Sequence, residues 1–367
     1  MRGWLLAFAV AVALSGPAVF WAQPATRWVI GRRGYVTEAD ARHSPPEVRP
    51  IVRSVTRAAT APGRIYAIDS TGRLTAHSND GSLLWTPPLV AQDLVAAEDG
   101  VVVRLPDGVV ALDPEGNERW RIATARGVDQ AAAAPGNATA MALSATRLVY
   151  VLSDRLRAHD RQTGREVWSL ETPIRSLHTT AAGDVIVGTR MRDRRRLLRD
   201  DGTLEPLPDW FDTHTATAPG GLRVVGSGLF VHVRDAHGVR WRQTLLGDRG
   251  MSGAAVLPDG TAIIATEYVY GFGPTGMWRW RLDPYGDVTG APVRSQGIVY
   301  VATDRMLAAF DRDGVLWTRH RSQDRVDPHI LLATDEGAPV FLHRTQHDGR
   351  PSPDLWVGGP PRPAGGR

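Results

Sequence analysis

The sequence predicts an all-β fold of four-stranded blades stacked radially, a β-propeller. Three observations predict it. Units of a short turn followed by an apolar, β-branched run recur at a regular interval. A tryptophan closes most of these units. No stretch after residue 25 keeps a helical period over ten residues or more.

The turns come first. They are Pro62-Gly63, Asp99-Gly100, Ser144-Ala145-Thr146, Gly183-Asp184, Gly220-Gly221, Asp259-Gly260, Gly297 and Glu336-Gly337. Each leads into a run such as Val101–Leu105 or Ile298–Thr303. These eight starts lie about 39 residues apart on average, a repeat long enough for four short strands. Such a unit cannot bury both faces alone, and radial stacking buries them while leaving only short edges. Eight blades are expected, with seven as the alternative.

The tryptophans come next. Trp85, Trp120, Trp168, Trp241, Trp280 and Trp317 each follow a turn that carries a glycine. Between Trp168 and Trp241 one unit, around Asp200-Asp201-Gly202, keeps the turn and lacks the ring. The last unit runs short of a fourth strand. Arg27-Trp28-Val29-Ile30 reads as the missing one, so residues 27–32 are expected to close the ring as an N-terminal strand.

Ala158, Asp160, Thr163, Gly164 and Trp168 spell Ala-x-Asp-x-x-Thr-Gly-x-x-x-Trp. This resembles the repeat of quinoprotein-like β-propellers, which include pyrroloquinoline quinone dehydrogenases and the outer-membrane assembly-factor propeller. Shorter versions run through Ala111, Asp113, Gly116 and Trp120, and through Ala309, Asp311, Gly314 and Trp317. The resemblance covers residues 50–357. It implies that each Trp docks on the neighbouring blade, against small Ala and Gly positions. Glycine permits the positive φ of a tight hairpin, and Asp can bond the turn backbone.

Composition narrows the chemistry. The 367 residues contain neither lysine nor cysteine; all 43 basic residues are arginine, against 39 acidic ones. Lysine Schiff bases, thiol nucleophiles, thiolate zinc sites, disulfides and a lipidated cysteine are therefore excluded. A net charge of +4, spread along the chain, does not call for nucleic acid.

The chain divides into four parts by this reading. Residues 1–22 form a signal peptide, or a membrane anchor if uncleaved, with Arg2 ahead of the apolar run Trp4–Leu14. Residues 23–50 are an N-terminal strand and linker, and 51–357 are the propeller. Residues 358–367 are a disordered Pro/Gly tail. The expected location is the periplasm or outside the cell, with N-terminal anchoring as the alternative and membrane contact only in that case.

Catalytic constellations are sparse. No Gly-x-Ser-x-Gly elbow occurs. His343 and His347 are four apart, but on a segment that reads as a strand. His77, His159 and His237 are read as surface residues. The Arg-rich run 190–199 is read as a solvated hairpin. No cofactor, metal or catalytic residue is expected, pyrroloquinoline quinone included. The reading is a monomeric, non-catalytic scaffold for an envelope or secreted protein partner. A quinone-dependent or other periplasmic oxidoreductase is the alternative. The candidate partner face is Trp210, Phe211, His214, Arg249, Tyr285 and Arg325, in loops entering the innermost strands. Aromatics beside Arg are what protein interfaces enrich.

Overall fold

The computed structural model describes residues 35–36, 41–123, 141–152, 155–171, 174–179, 185–189, 195–207, 216–217, 222–227, 230–245, 251–284, 286–288, 291–320, 326–347 and 350–359. Eight antiparallel sheets follow one another along the chain, and no helix occurs among the described residues. Blade 1 runs from Val55–Ala61 to Leu83–Trp85, and blade 2 from Asp93–Ala97 to Glu118–Ala123. Blade 3 runs from Met141–Leu143 to Glu166–Glu171, blade 4 from Ile174–Thr179 to Leu204–Pro206, and blade 5 from Ala216–Thr217 to Gly238–Thr244. Blade 6 runs from Gly253–Val256 to Trp278–Leu282, and blade 7 from Val293–Ser295 to Gly314–His320. Blade 8 is built from Val326–Ala333, Pro339–His347, Arg350–Gly358 and Val48–Val52.

The first strands form the inner ring. Blade 1's first strand packs on those of blades 2 and 8, and the contact passes on from blade 2 to 3 to 4, and from blade 5 to 6 to 7 to 8. Second strands are sandwiched between neighbouring blades. This is why Ala262–Ala265 and Ile298–Ala302 are apolar and buried throughout, and why Gly100–Leu105 is buried throughout and apolar except for Arg104. Fourth strands face solvent along one side, and Glu118–Ala123 accordingly mixes exposed and buried positions. Each core cluster straddles two blades. One joins Val55, Ile65 and Ala67 of blade 1 to Val340, Leu342 and Leu355 of blade 8, closing the ring.

Closure corrects one expectation. The fourth strand of blade 8 is Val48–Val52, not residues 27–32, which lie outside the described residues. Val48–Val52 pairs antiparallel with Leu355–Gly358. Ile51 and Val52 add to the apolar cluster between blades 8 and 1. Pro50, which cannot donate to a ladder, is tolerated on this outermost strand.

The approach to that strand is itself bound. Tyr35–Val36 pairs in parallel with Arg281 and Leu282 on the edge of blade 6. Ala41 then packs on the core between blades 6 and 7. His43 N donates to Leu316 O of blade 7, and Arg42 pairs with Asp311. Residues 35–52 thus cross three blades.

Antiparallel order gives the ring two ends. The turns between first and second strands and between third and fourth strands lie at one, here the turn end. The second-to-third turns and the blade-to-blade connections lie at the other, here the loop end.

Candidate functional site

The turn end is built around glycines of the repeat. Asp160 accepts from the backbone N–H groups of Gln162 and Thr163 and from the Thr163 hydroxyl. These bonds hold its carboxyl below its usual range. The turn brings Gly164 (φ 70°) under the ring of Trp120 from blade 2, and Trp120 Nε1 donates to Arg161 O at 2.9 Å. Trp85 of blade 1 does the same over Gly116, donating to Pro114 O at 2.8 Å. Trp168 of blade 3 covers Gly202 and donates to Asp200 O at 2.9 Å.

The later blades vary this contact. Trp241 covers Gly276 of blade 6, where the turn has lost its Asp, and its N–H has no acceptor among the described residues. Trp280 stacks on Phe310 of blade 7 at 5.1 Å, beside a shortened turn, and its N–H likewise has no acceptor among the described residues. Trp317 packs with Leu331, Phe341 and Trp356 of blade 8. Blade 4 has no such Trp, and Gly238 of blade 5 has open space where a ring would lie. At the closure, Ile51 and Val357 occupy the position over Gly81.

Two histidines read as surface residues are buried, which corrects that expectation. His77 and His159 are each 4% exposed, while His237 is exposed. Each buried ring holds the glycine turn of its own blade. His159 Nδ1 lies 2.9 Å from Gly164 O, and His77 Nδ1 lies 3.2 Å from Gly81 O. A carbonyl only accepts, so Nδ1 carries the proton in both. The other nitrogens then accept from the hydroxyls of Tyr150 and Thr75. Burial pulls both imidazoles below the usual histidine range. It pushes the Tyr150 hydroxyl up to about 12. The sequence signal was the Ala-His pair at 76–77 and 158–159, repeated at one place in two blades.

Carboxylates extend the stitching at this end. Asp99 bridges Arg119 of its own blade and Arg161 of blade 3. Asp335 of blade 8 accepts from Gly63 N and Asn79 Nδ2 of blade 1. Asp200 of blade 4 accepts from Ser144 and Thr146 of blade 3.

The loop end carries different groups. Asp93 opens the inner strand of blade 2, is buried, and lies 3.5 Å from Arg57 Nε of blade 1. Its register partner is the buried Arg104. Burial lowers the Arg104 guanidinium from its ordinary value, and Asp93 opposes that shift. On blade 6, the Arg281 guanidinium sits 4.2 Å above the Tyr268 ring. None of these five residues stood out in the sequence, because their partners come from other strands. Trp210, Phe211, His214, Arg249, Tyr285 and Arg325 lie outside the described residues. Among the described residues, no three His, Asp or Glu side chains group as a metal site.

Comparison with known proteins agrees with the architecture. The family model of outer membrane protein assembly factor BamB matches residues 18–202 and 231–345. None of the curated proteins matches the sequence. Among solved structures, the computationally designed Ika8 protein is similar at 15% identity and TM-score 0.54, covering 89% of this chain and 99% of its own. The Dos1 propeller is similar at 11% identity and TM-score 0.53, covering 85% and 94%. BamB from Moraxella catarrhalis aligns at 17% identity and TM-score 0.39, covering 70% and 82%. The first two likenesses are likenesses of fold.

Proposed function

Because the chain belongs to the family of outer membrane protein assembly factor BamB, we propose that it is an exported, non-catalytic propeller. It acts as a protein-binding or assembly scaffold in the bacterial cell envelope. The observation that carries this reading is the family match, which spans both halves of the ring rather than one blade. The division of labour between the two ends supports it. The tryptophan and carboxylate bonds at the turn end join blade to blade. We assign the six tryptophans, Trp85 to Trp317, this docking duty and no ligand. The partner face is the loop end, with Trp210, Phe211, His214, Arg249, Tyr285 and Arg325. The chain works as a monomer without a quinone, in the periplasm or outside the cell.

Affinity capture from an envelope extract tests the reading. The wild-type chain recovers a discrete set of envelope proteins, and a Trp210→Ala, Tyr285→Ala double variant loses them. Retention of the same partners by that variant overturns the face. Tight uptake of pyrroloquinoline quinone with calcium, seen as an absorbance change, overturns the non-catalytic reading.

A further inference from the structure

The seam between blades 4 and 5 departs from the others. Among the described residues, a core cluster joins each of the other seven pairs of neighbouring blades, and none joins this pair. The register of blade 4 gives the reason. In blades 1, 2, 3 and 7 the docking tryptophan pairs across the ladder with a small alanine, as Trp120 does with Ala111 and Trp168 with Ala158. The same register in blade 4 pairs Glu205 with Leu197. Glu205 therefore stands where a tryptophan stands elsewhere. Its carboxylate turns back to Arg199 of its own blade, accepting from Nε at 2.9 Å and Nη2 at 2.6 Å.

Exposure on the facing blade shows what the missing ring leaves uncovered. Blades 5 and 7 share one turn, in which Asp235 pairs with Gly238 and Asp311 with Gly314, beside the same bulge. The next pair is Arg234 with Val239 in blade 5 and Phe310 with Val315 in blade 7. Phe310 and Val315 lie 0% and 2% exposed in the core that Trp280 of blade 6 completes. Val239, in the position of Val315, is 50% exposed. Leu197, in the position of the fully buried Ala158, is only half-buried. Alternation along the strand puts His232 and its partner Arg242 on the same face as Arg234. Burial first, then the guanidinium charges of Arg242 and Arg234, hold the His232 imidazole below its usual range, so both cations flank it. Arg242 is exposed. The seam is thus an apolar ledge beside two arginines.

We propose that this seam takes a tryptophan side chain from an acidic segment of a partner protein. The ring lies on Val239, in the place that Trp280 takes over Phe310 and Val315. The Arg234 guanidinium, standing where Phe310 stands, meets the face of the ring. Carboxylates beside the tryptophan meet Arg242. The inference rests on the reading that the chain binds protein. It adds a site on the flank of the ring, away from the loop end, and names the side chain that enters it.

The test uses the full chain and a capped, fluorophore-labelled peptide with one tryptophan between two pairs of glutamates. Anisotropy shows saturable binding. Replacing the probe's tryptophan by alanine weakens binding about thirtyfold, as loss of a buried aromatic anchor does. Glu205→Trp supplies the missing ring from within the chain, raises the melting temperature and abolishes binding. Val239→Glu, at a half-exposed position, leaves the melting temperature unchanged and weakens binding. Arg242→Glu weakens the glutamate probe about fivefold and strengthens a probe flanked by lysines. No saturable binding by the wild-type chain, equal binding of the alanine probe, or unchanged binding by Glu205→Trp and Val239→Glu overturns the proposal. So does a dimer in sedimentation that Glu205→Trp dissolves, since the occupant is then a second copy. The peptide reads the flank of the ring and the capture variant reads the loop end, so the two results can fail separately.

Discussion

Trp120 reaches from blade 2 to blade 3 and lies flat over Gly164, its N–H on the carbonyl of Arg161 at 2.9 Å. A Cβ at Gly164 would sit 2.8 Å from the Trp120 ring. The glycine therefore meets two demands at once, a φ of 70° and a face without a side chain.

Gly164→Ala separates those demands when set beside Gly63→Ala. Gly63 has φ 71° and open space around it. Its alanine variant should lose about 1 kcal/mol, from the left-handed backbone alone. Gly164→Ala should lose about 1–3 kcal/mol more, from overpacking against Trp120. Urea unfolding of both variants measures the difference. Equal losses would show that the ring moves aside freely.

Trp120→Phe and Trp280→Phe should not cost the same. Trp120 gives up a hydrogen bond and strands the Arg161 carbonyl, whereas the Trp280 N–H has no acceptor to lose among the described residues. The Trp120 variant should be less stable than the Trp280 variant by about 1–2 kcal/mol. Thermal and urea midpoints of the pair check this.

Stability should fall as pH drops below about 6.5, before the carboxylates titrate. Burial holds the imidazoles of His77, His159 and His232 below the ordinary histidine value of 6.5. The unfolded chain takes up protons first, so their contribution is present above the unfolded value and is lost on acidification towards the folded one. Asp160 and Asp80 are also depressed, and their contribution is lost only at lower pH, beginning near 3.8. His159→Gln should flatten the slope of the urea midpoint between pH 7 and 5. An unchanged slope would remove His159 from the cause.

Truncations should separate the N-terminal segment into three grades. Removing residues up to 34 leaves the described contacts intact. Removing residues up to 47 also loses the pairing at Tyr35–Val36, the Arg42–Asp311 pair and the His43–Leu316 bond. Removing residues up to 52 opens blade 8 and uncovers Gly81, Leu355 and Val357. Against the chain that begins at residue 35, melting temperature should be lowered by the second truncation and lowered most by the third. Calorimetry decides it.

Much of the architecture is local and therefore legible in the chain. Turn glycines such as Gly116 and Gly164 need a backbone that only glycine takes easily. The apolar runs behind them need burial on two faces. Those two requirements, repeated eight times, determine the strands and the blades without reference to any distant residue. The closing strand was different. Residues 27–32 read as the closing strand, and nothing local pointed to 48–52 in their place. What ranks them is pairing with Leu355–Gly358 at the far end of the chain, which brings Ile51 and Val357 over Gly81, the place a tryptophan holds elsewhere. Packing between neighbouring blades hid the Arg57–Asp93 pair and the burial of His77 and His159 in the same way. A repeat tells each blade how to fold, because its requirements lie within one turn of chain. Only the assembled ring decides what covers an edge, because burial there depends on which surface arrives from the far end.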